Sequence, residues 1–253
     1  MKALTRFAGR AWLIVLLLLA WEAMAWTHVL DPLFFPPPSK LVYVFASLVA
    51  SGEAGAAIGK TLLRTAMGFA AGVAAGAFVS VLAFLWKPLE TALQPLIAAL
   101  YTSPRLTLLP MAMLLFGIND GSRILLIAIS TALIMIMQLS DALRQVNQYL
   151  VDLAINYGAG RVMLIRKVYI PACLPQIFTA LRMSFGRALV LTISVELLSC
   201  QDGLGSMIWS SWQTFATGKL YVGVGLAAAL GLMTEAFFRI VERRLTPWQE
   251  AAA

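Results

Sequence analysis

The strongest constraint on this chain is the recurrence of apolar runs long enough to cross a lipid bilayer. A helix needs about 20 residues to traverse the hydrocarbon core, fewer where flanking side chains snorkel. Six stretches qualify: about 11–29, 65–86, 92–117, 124–139, 183–200 and 220–238, none with more than two charged residues. At 60% hydrophobic and 12% charged, the 253 residues hold more apolar surface than a soluble core of that size could bury. The expected fold class is an all-α membrane protein, one domain over 1–253 with six transmembrane helices.

An even number of spans puts both termini on one side, and Lys and Arg counts choose the side. With cytoplasmic termini, thirteen basic residues fall inside, among them Lys87, Arg144, Arg161, Arg166, Lys167, Arg182 and Arg187. Five fall outside, Lys40, Lys60, Arg64, Arg123 and Lys219, while Arg105 lies within the third stretch. Both termini are therefore expected in the cytoplasm. The net charge of +7 reads as a topology signal, and no basic cluster interleaved with aromatics points to nucleic acid as a partner.

Residues 1–25 imitate a secretory signal ending in "AMA", but the apolar run continues through Trp21 and Trp26, which favours an uncleaved span. The prolines of "LFFPPPSK" then stop it. Residues 39–51 resume a helical pattern, with Leu41, Val44, Phe45 and Leu48 on one side, and read as a short helix on the outer surface. Cys173 and Cys200 fall on opposite faces under this topology, so no disulfide is expected, and His28 alone offers no metal-ligand set.

Several motifs inside the apolar stretches could carry function. "GFAAGVAAGA" spaces Gly68, Gly72 and Gly76 four apart, a nearly bare face that lets helices approach closely, whether beside a pore or in plain packing. The third stretch contains Pro95, Pro104, Pro110 and Arg105. Its segment "LYTSPRLTLLP" makes Thr102, Ser103 and Arg105 candidates for a translocation pathway. The alternative is that the prolines only kink the helix and Arg105 snorkels or pairs with a carboxylate. Glu196, in "LTISVELLSC", poses the same choice between pathway and structure, and Glu22 and Glu235 pose it more weakly. In "CQDGLGSMIWSSWQTF", Gly203 and Gly205 permit a tight turn. Trp209 and Trp212 there suit either a re-entrant gate or an interfacial anchor.

The polar exception is "DLAINYGAGRVMLIRKVYIPACLPQ", 152–176, inside a cytoplasmic loop of about 141–182. That loop is far longer than a connection within a bundle needs, which implies a docked element. Helical patterns before and after "YGAG" predict two short helices at an angle, the second ended by Pro171 and Pro175.

This stretch resembles the cytoplasmic signature of permease subunits of ATP-binding-cassette importers: Glu-Ala-Ala, three residues, Gly, nine residues, Ile-x-Leu-Pro. Asp152, Leu153 and Ala154 take the first places, Gly158 follows after three residues, and Val168, Ile170 and Pro171 fall on the last. Elsewhere "KTLLRTAMGFAAGVAAG", "TSPRLTLLPMAMLLFGINDGSRI", "VELLSCQDGLGSMI" and "ERRLTPW" resemble the nitrate, sulfonate and taurine permeases, with departures at Met113, Leu114 and Leu115. The resemblance implies the type I importer permease fold in the bacterial inner membrane. It also implies a homodimer of permeases, two cytoplasmic ATPase subunits and a periplasmic or lipid-anchored solute-binding protein. The coupling residues it implies are Asp152, Ala154, Asn156, Tyr157, Gly158, Ala159, Arg161 and Pro171. No sequence of the form G-x-x-x-x-G-K-[ST] occurs, so ATP and Mg are expected on the partner ATPase and no cofactor on this chain. The implied solute is a small anion such as a sulfonate, taurine or nitrate. Alternatives are a thiamine-precursor pyrimidine or an aromatic acid and, in another class, ion-coupled secondary transport.

Overall fold

The computed structural model describes residues 2–199 and 201–245, with side-chain surroundings for 12–160, 162–199 and 201–245. All regular structure among them is helical. α1 (Lys2–Trp26) stops just before His28, whose φ of 56° turns the chain. α2 (Pro38–Ala50) begins on the last of the three prolines, at the first helical position, where a missing N–H costs nothing. Gly52, at φ 77°, then turns the chain into α3 (Glu53–Leu85).

α4 (Lys87–Thr102) runs into a break at Ser103 and Pro104, followed by a 3-10 turn (Arg105–Leu108) and α5 (Leu109–Phe116). Pro104 forces Ser103 out of the helical region, to ψ 140°, and the two halves meet at 99°. The third apolar stretch is thus sharply bent where a kinked but continuous helix was one expectation. Asn119 caps α6 (Asp120–Arg144), its side-chain oxygen accepting from Ser122 N at 3.1 Å.

α7 (Gln148–Asn156), α8 (Arg161–Leu164) and a π-helical turn (Ile165–Tyr169) lead into α9 (Ile170–Ser199). Here a sequence expectation fails. Pro171 and Pro175 do not end a helix but lie inside α9. The π turn explains the first: Ile170 N–H reaches back to Ile165 O, and the wider loop moves the carbonyls that would meet the Pro171 ring. α10 (Leu204–Gln213) and α11 (Thr217–Leu245) complete the fold. Gly205 also departs from expectation, sitting within α10 while Gly203 alone makes the turn, at φ 102°.

α3, Val162–Ser199, α6 and α11 are each long and apolar enough to cross a membrane, and α4 with Arg105–Phe116 meets the same requirement as one bent span. The apolar part of α1 described, Trp12–Trp26, is shorter. Its residues from Trp12 to Leu19 are exposed, as a lipid-facing helix requires.

The chain divides into two compact units, 1–60 with 196–228 and 61–195 with 229–253. In the first, Leu48, Ala54 and Val222 form a core under Leu41, Val44 and Leu226. Glu22 accepts from Ser39 N at 3.0 Å and Ser39 Oγ at 2.7 Å, tying α1 to the open N-terminus of α2.

In the second unit, a Cβ on Gly68, Gly72 or Gly76 would come within 2.5 to 2.7 Å of Ile127, Thr131 or Met135. The numbers rise together, so α3 and α6 run parallel. Arg64 Nε of α3 donates to Asp120 Oδ1 at the start of α6 at 3.0 Å, and Arg144 Nε at the end of α6 donates to Glu90 Oε1, in the first turn of α4 just past the end of α3, at 2.9 Å. Residues 86–119 must therefore carry the chain from one end of this pair to the other, so the bent α4–α5 segment is a crossing rather than a hairpin. Phe69, Phe185 and Phe238 stack edge to face or tilted, with centroids 5.1 to 6.0 Å apart, and join α3, α9 and α11.

Candidate functional site

The signature stretch folds around its glycine. Asn147 opens α7 by accepting from Tyr149 N at 2.9 Å, and Gln148 Nε2 donates to Asp152 Oδ1 at 3.1 Å on the same helix. At the other end Gly158 N–H donates to Ile155 O at 2.8 Å and Ala159 N–H to Ala154 O at 3.0 Å. This pair is a Schellman motif, which needs a left-handed residue at its centre. Gly158 supplies it at φ 81°. A Cβ there would touch nothing within 4 Å, so backbone conformation and not space demands glycine.

The structure brings Asp152, Ala154, Asn156, Tyr157, Gly158 and Ala159 together at one helix end. Pro171 stands apart in α9, and the side chain of Arg161 lies outside the described residues. Leu150, Leu153, Ile155, Tyr157, Val162 and Met163 are exposed, Tyr157 at 85%.

The second site lies at the break between α4 and α5. Thr102 and Ser103 spend their hydroxyls on the α4 backbone, donating to Ala98 O and Ala99 O at 3.1 and 2.8 Å. Among the described residues Arg105 has no carboxylate within ion-pair distance. Its Nη1 donates to Ser130 Oγ of α6 at 3.1 Å, and its guanidinium lies 5.1 Å from the Tyr101 ring centroid. Arg187 Nη1 donates to the same tyrosine's hydroxyl at 3.1 Å. Arg105, Leu106, Ser130, Gly186, Arg187, Val190, Leu191 and Ser194 line an open pocket of about 350 Å³, on which Arg187 and Val190 are exposed.

Arg187 and Ser130 were missed in the sequence. Arg187 was counted among the cytoplasmic charges, although it stands twelve residues before the end of α9, about 18 Å along the axis. An arginine inside an apolar stretch was the available signal, the one that singled out Arg105.

Glu196 has a different setting. It is fully buried and its Oε2 accepts from Gly205 N at 3.1 Å, in the first turn of α10. Gly203 covers it so closely that a Cβ there would collide with the carboxylate. A carboxylate at a helix N-terminus is stabilised by unsatisfied N–H groups and the helix dipole, by about 1 kcal/mol. Glu196 holds α10, as Glu22 holds α2, and Glu235 pairs with Arg239 on its own helix at 2.7 Å.

Comparison with known proteins adds family to geometry. Residues 68–247 match the family model described as binding-protein-dependent transport system inner membrane component. SsuC of Bacillus subtilis (strain 168), a permease named for aliphatic sulfonates transport, is 31% identical over 231 residues, covering 91% of this chain and 84% of its own. TauC of Escherichia coli (strain K12), named as a taurine transport system permease protein, is 29% identical over 240 residues, covering 93% and 87%. The fold is similar to a chain in the crystal structure of a bacterial ABC transporter involved in the import of the acidic polysaccharide alginate. That likeness has a TM-score of 0.67 at 16% identity and covers 96% of this chain and 99% of that one.

Proposed function

Since the chain belongs to the family of binding-protein-dependent transport system inner membrane components, we propose that it couples ATP hydrolysis on a partner subunit to inward movement of a small anion. It is a permease of an ATP-binding-cassette importer, with the type I importer permease fold, and a multi-pass protein of the bacterial inner membrane. Such permeases work in a complex with a binding protein and an ATPase.

The finer reading is a homodimer in membrane lipid, with cytoplasmic termini, two ATPase subunits and a periplasmic or lipid-anchored binding protein. On this reading ATP and Mg sit on the ATPase, and hydrolysis belongs to that subunit. The observation that carries the reading is the elbow at Gly158, whose apolar side chains Leu153, Tyr157, Val162 and Met163 are exposed on a stretch predicted to face water. Exposed apolar surface of this kind marks a docking site. ATP binds the closed ATPase dimer more tightly than the open one, and that difference is the only source of bias on the permease. The elbow moves with the dimer, and the bend at Ser103 and Pro104, beside Thr102 and Arg105, lies on the pathway that opens. Sulfonates or taurine are the proposed solutes, with nitrate, a thiamine-precursor pyrimidine or an aromatic acid as alternatives.

Reconstitution tests this. Uptake of taurine or ethanesulfonate into proteoliposomes should require the ATPase, ATP and the binding protein. Gly158→Pro should insert normally yet lose uptake, because it fixes φ near −65° and removes the N–H bonded to Ile155 O. Uptake without ATP, or normal uptake by the variant, would overturn the reading.

A further inference from the structure

We propose that Arg105, Arg187 and Ser130 form an oxyanion site inside the permease, where a solute with a singly charged head and a short apolar body pauses during transit. Its role in transport rests on the importer reading; the binding chemistry stands on the cavity.

Arg187, Val190, Leu191 and Ser194 follow the i, i+3, i+4, i+7 spacing and line one face of α9. Opposite them stand Arg105, set apart from α4 by the break at Pro104, and Ser130 of α6. Tyr101 joins the two guanidiniums: its hydroxyl accepts from Arg187 and its ring lies beside Arg105. Both cations therefore face one volume of about 350 Å³.

Among the described residues neither guanidinium has a carboxylate within ion-pair distance, whereas Arg64, Arg123, Arg144, Arg182 and Arg239 each have one. Two like charges facing one open pocket repel, and a bound anion relieves that repulsion. Guanidinium forks match the oxygens of sulfonate, carboxylate and phosphate heads. Ser130 is 3% exposed and accepts from Arg105, which leaves its own proton to donate as a third contact. Ser194 is not counted, because its hydroxyl donates to Val190 O at 2.9 Å. Leu106, Val190 and Leu191 offer apolar wall to a short aliphatic body. One negative charge between two positive ones does not neutralise the site, and a stop on a pathway must also release what it holds.

A phospholipid headgroup has the same chemistry, so the test separates the two sources. The permease–ATPase complex is placed in phosphatidylcholine nanodiscs without binding protein and titrated with ethanesulfonate or its neutral counterpart ethanesulfonamide, read by calorimetry and thermal shift. Ethanesulfonate should bind saturably and ethanesulfonamide should not. Arg105→Gln and Arg187→Gln should each weaken binding at least tenfold, and so should Val190→Trp, which narrows the cavity while keeping both charges. Equal binding of the two probes, or wild-type binding by the double Arg→Gln variant, would overturn the site. Abolition of ethanesulfonate binding by phosphatidylglycerol nanodiscs would also overturn it, in favour of a lipid headgroup. Uptake that proceeds without ATP sinks the importer reading and leaves the binding result standing.

Discussion

Glu196 and Arg105 are both charged side chains within apolar helical segments, yet their surroundings are opposite. Glu196 is sealed: no surface remains, Gly205 N–H points at its carboxylate, and Gly203 closes over it. Arg105 opens on a cavity of about 350 Å³, shares it with a second cation, and has only a hydroxyl and a ring for company. A buried charge closed over by its own fold and hydrogen-bonded to a helix start has finished its work within the fold, whereas one facing space without a counter-charge is poised for something that arrives. Charge inside an apolar segment marks importance, and the surroundings decide between structure and transit.

The largest expected effect comes from filling the sealed site. Gly203→Val places a side chain on the carboxylate at a φ that L-residues avoid, and should cost about 3 kcal/mol or more; the measurement is thermal unfolding of the purified complex. A variant as stable as wild type would show that the seal is not tight. Next, Glu196→Ala leaves the buried Gly205 N–H without its acceptor and should cost about 1–3 kcal/mol. Glu196→Gln keeps one oxygen and should cost less. In both, uptake per folded molecule should match wild type; a selective loss of uptake at normal stability would return Glu196 to the pathway. Smallest in stability are Arg105→Gln and Arg187→Gln, each expected within about 0.5 kcal/mol of wild type because each relieves like-charge repulsion. Their uptake should nevertheless fall severalfold, and a large drop in melting temperature would make these arginines structural after all.

Much of this was legible in the sequence. The apolar runs have a clear physical signature, and the Gly158 spacing reflects a backbone conformation few residues adopt. What stayed hidden depends on neighbours distant in sequence. Whether Glu196 met water or a helix start turned on Gly205, nine residues away, and no local pattern announces that Gly203 folds over it. Arg187 was hidden because an arginine counts equally as a topology signal and as a cavity wall, and Tyr101, which joins it to Arg105, lies 86 residues away. The passage of α9 through Pro171 was obscured because a π turn has no composition of its own.

The contact between α3 and α6 has one last consequence. Both sides advance in steps of four, Gly68, Gly72 and Gly76 against Ile127, Thr131 and Met135, so a slip of one turn would still seat two glycines against two of these three side chains. A repeating surface cannot by itself tell the right alignment from its neighbour. That decision falls to one polar end, where Arg64 Nε donates to Asp120 Oδ1 at 3.0 Å, a pair that does not survive a displacement of about 6 Å. This polar clasp acts as a proofreader of assembly: the glycines let the helices close, and the clasp rejects the closures that are one turn out.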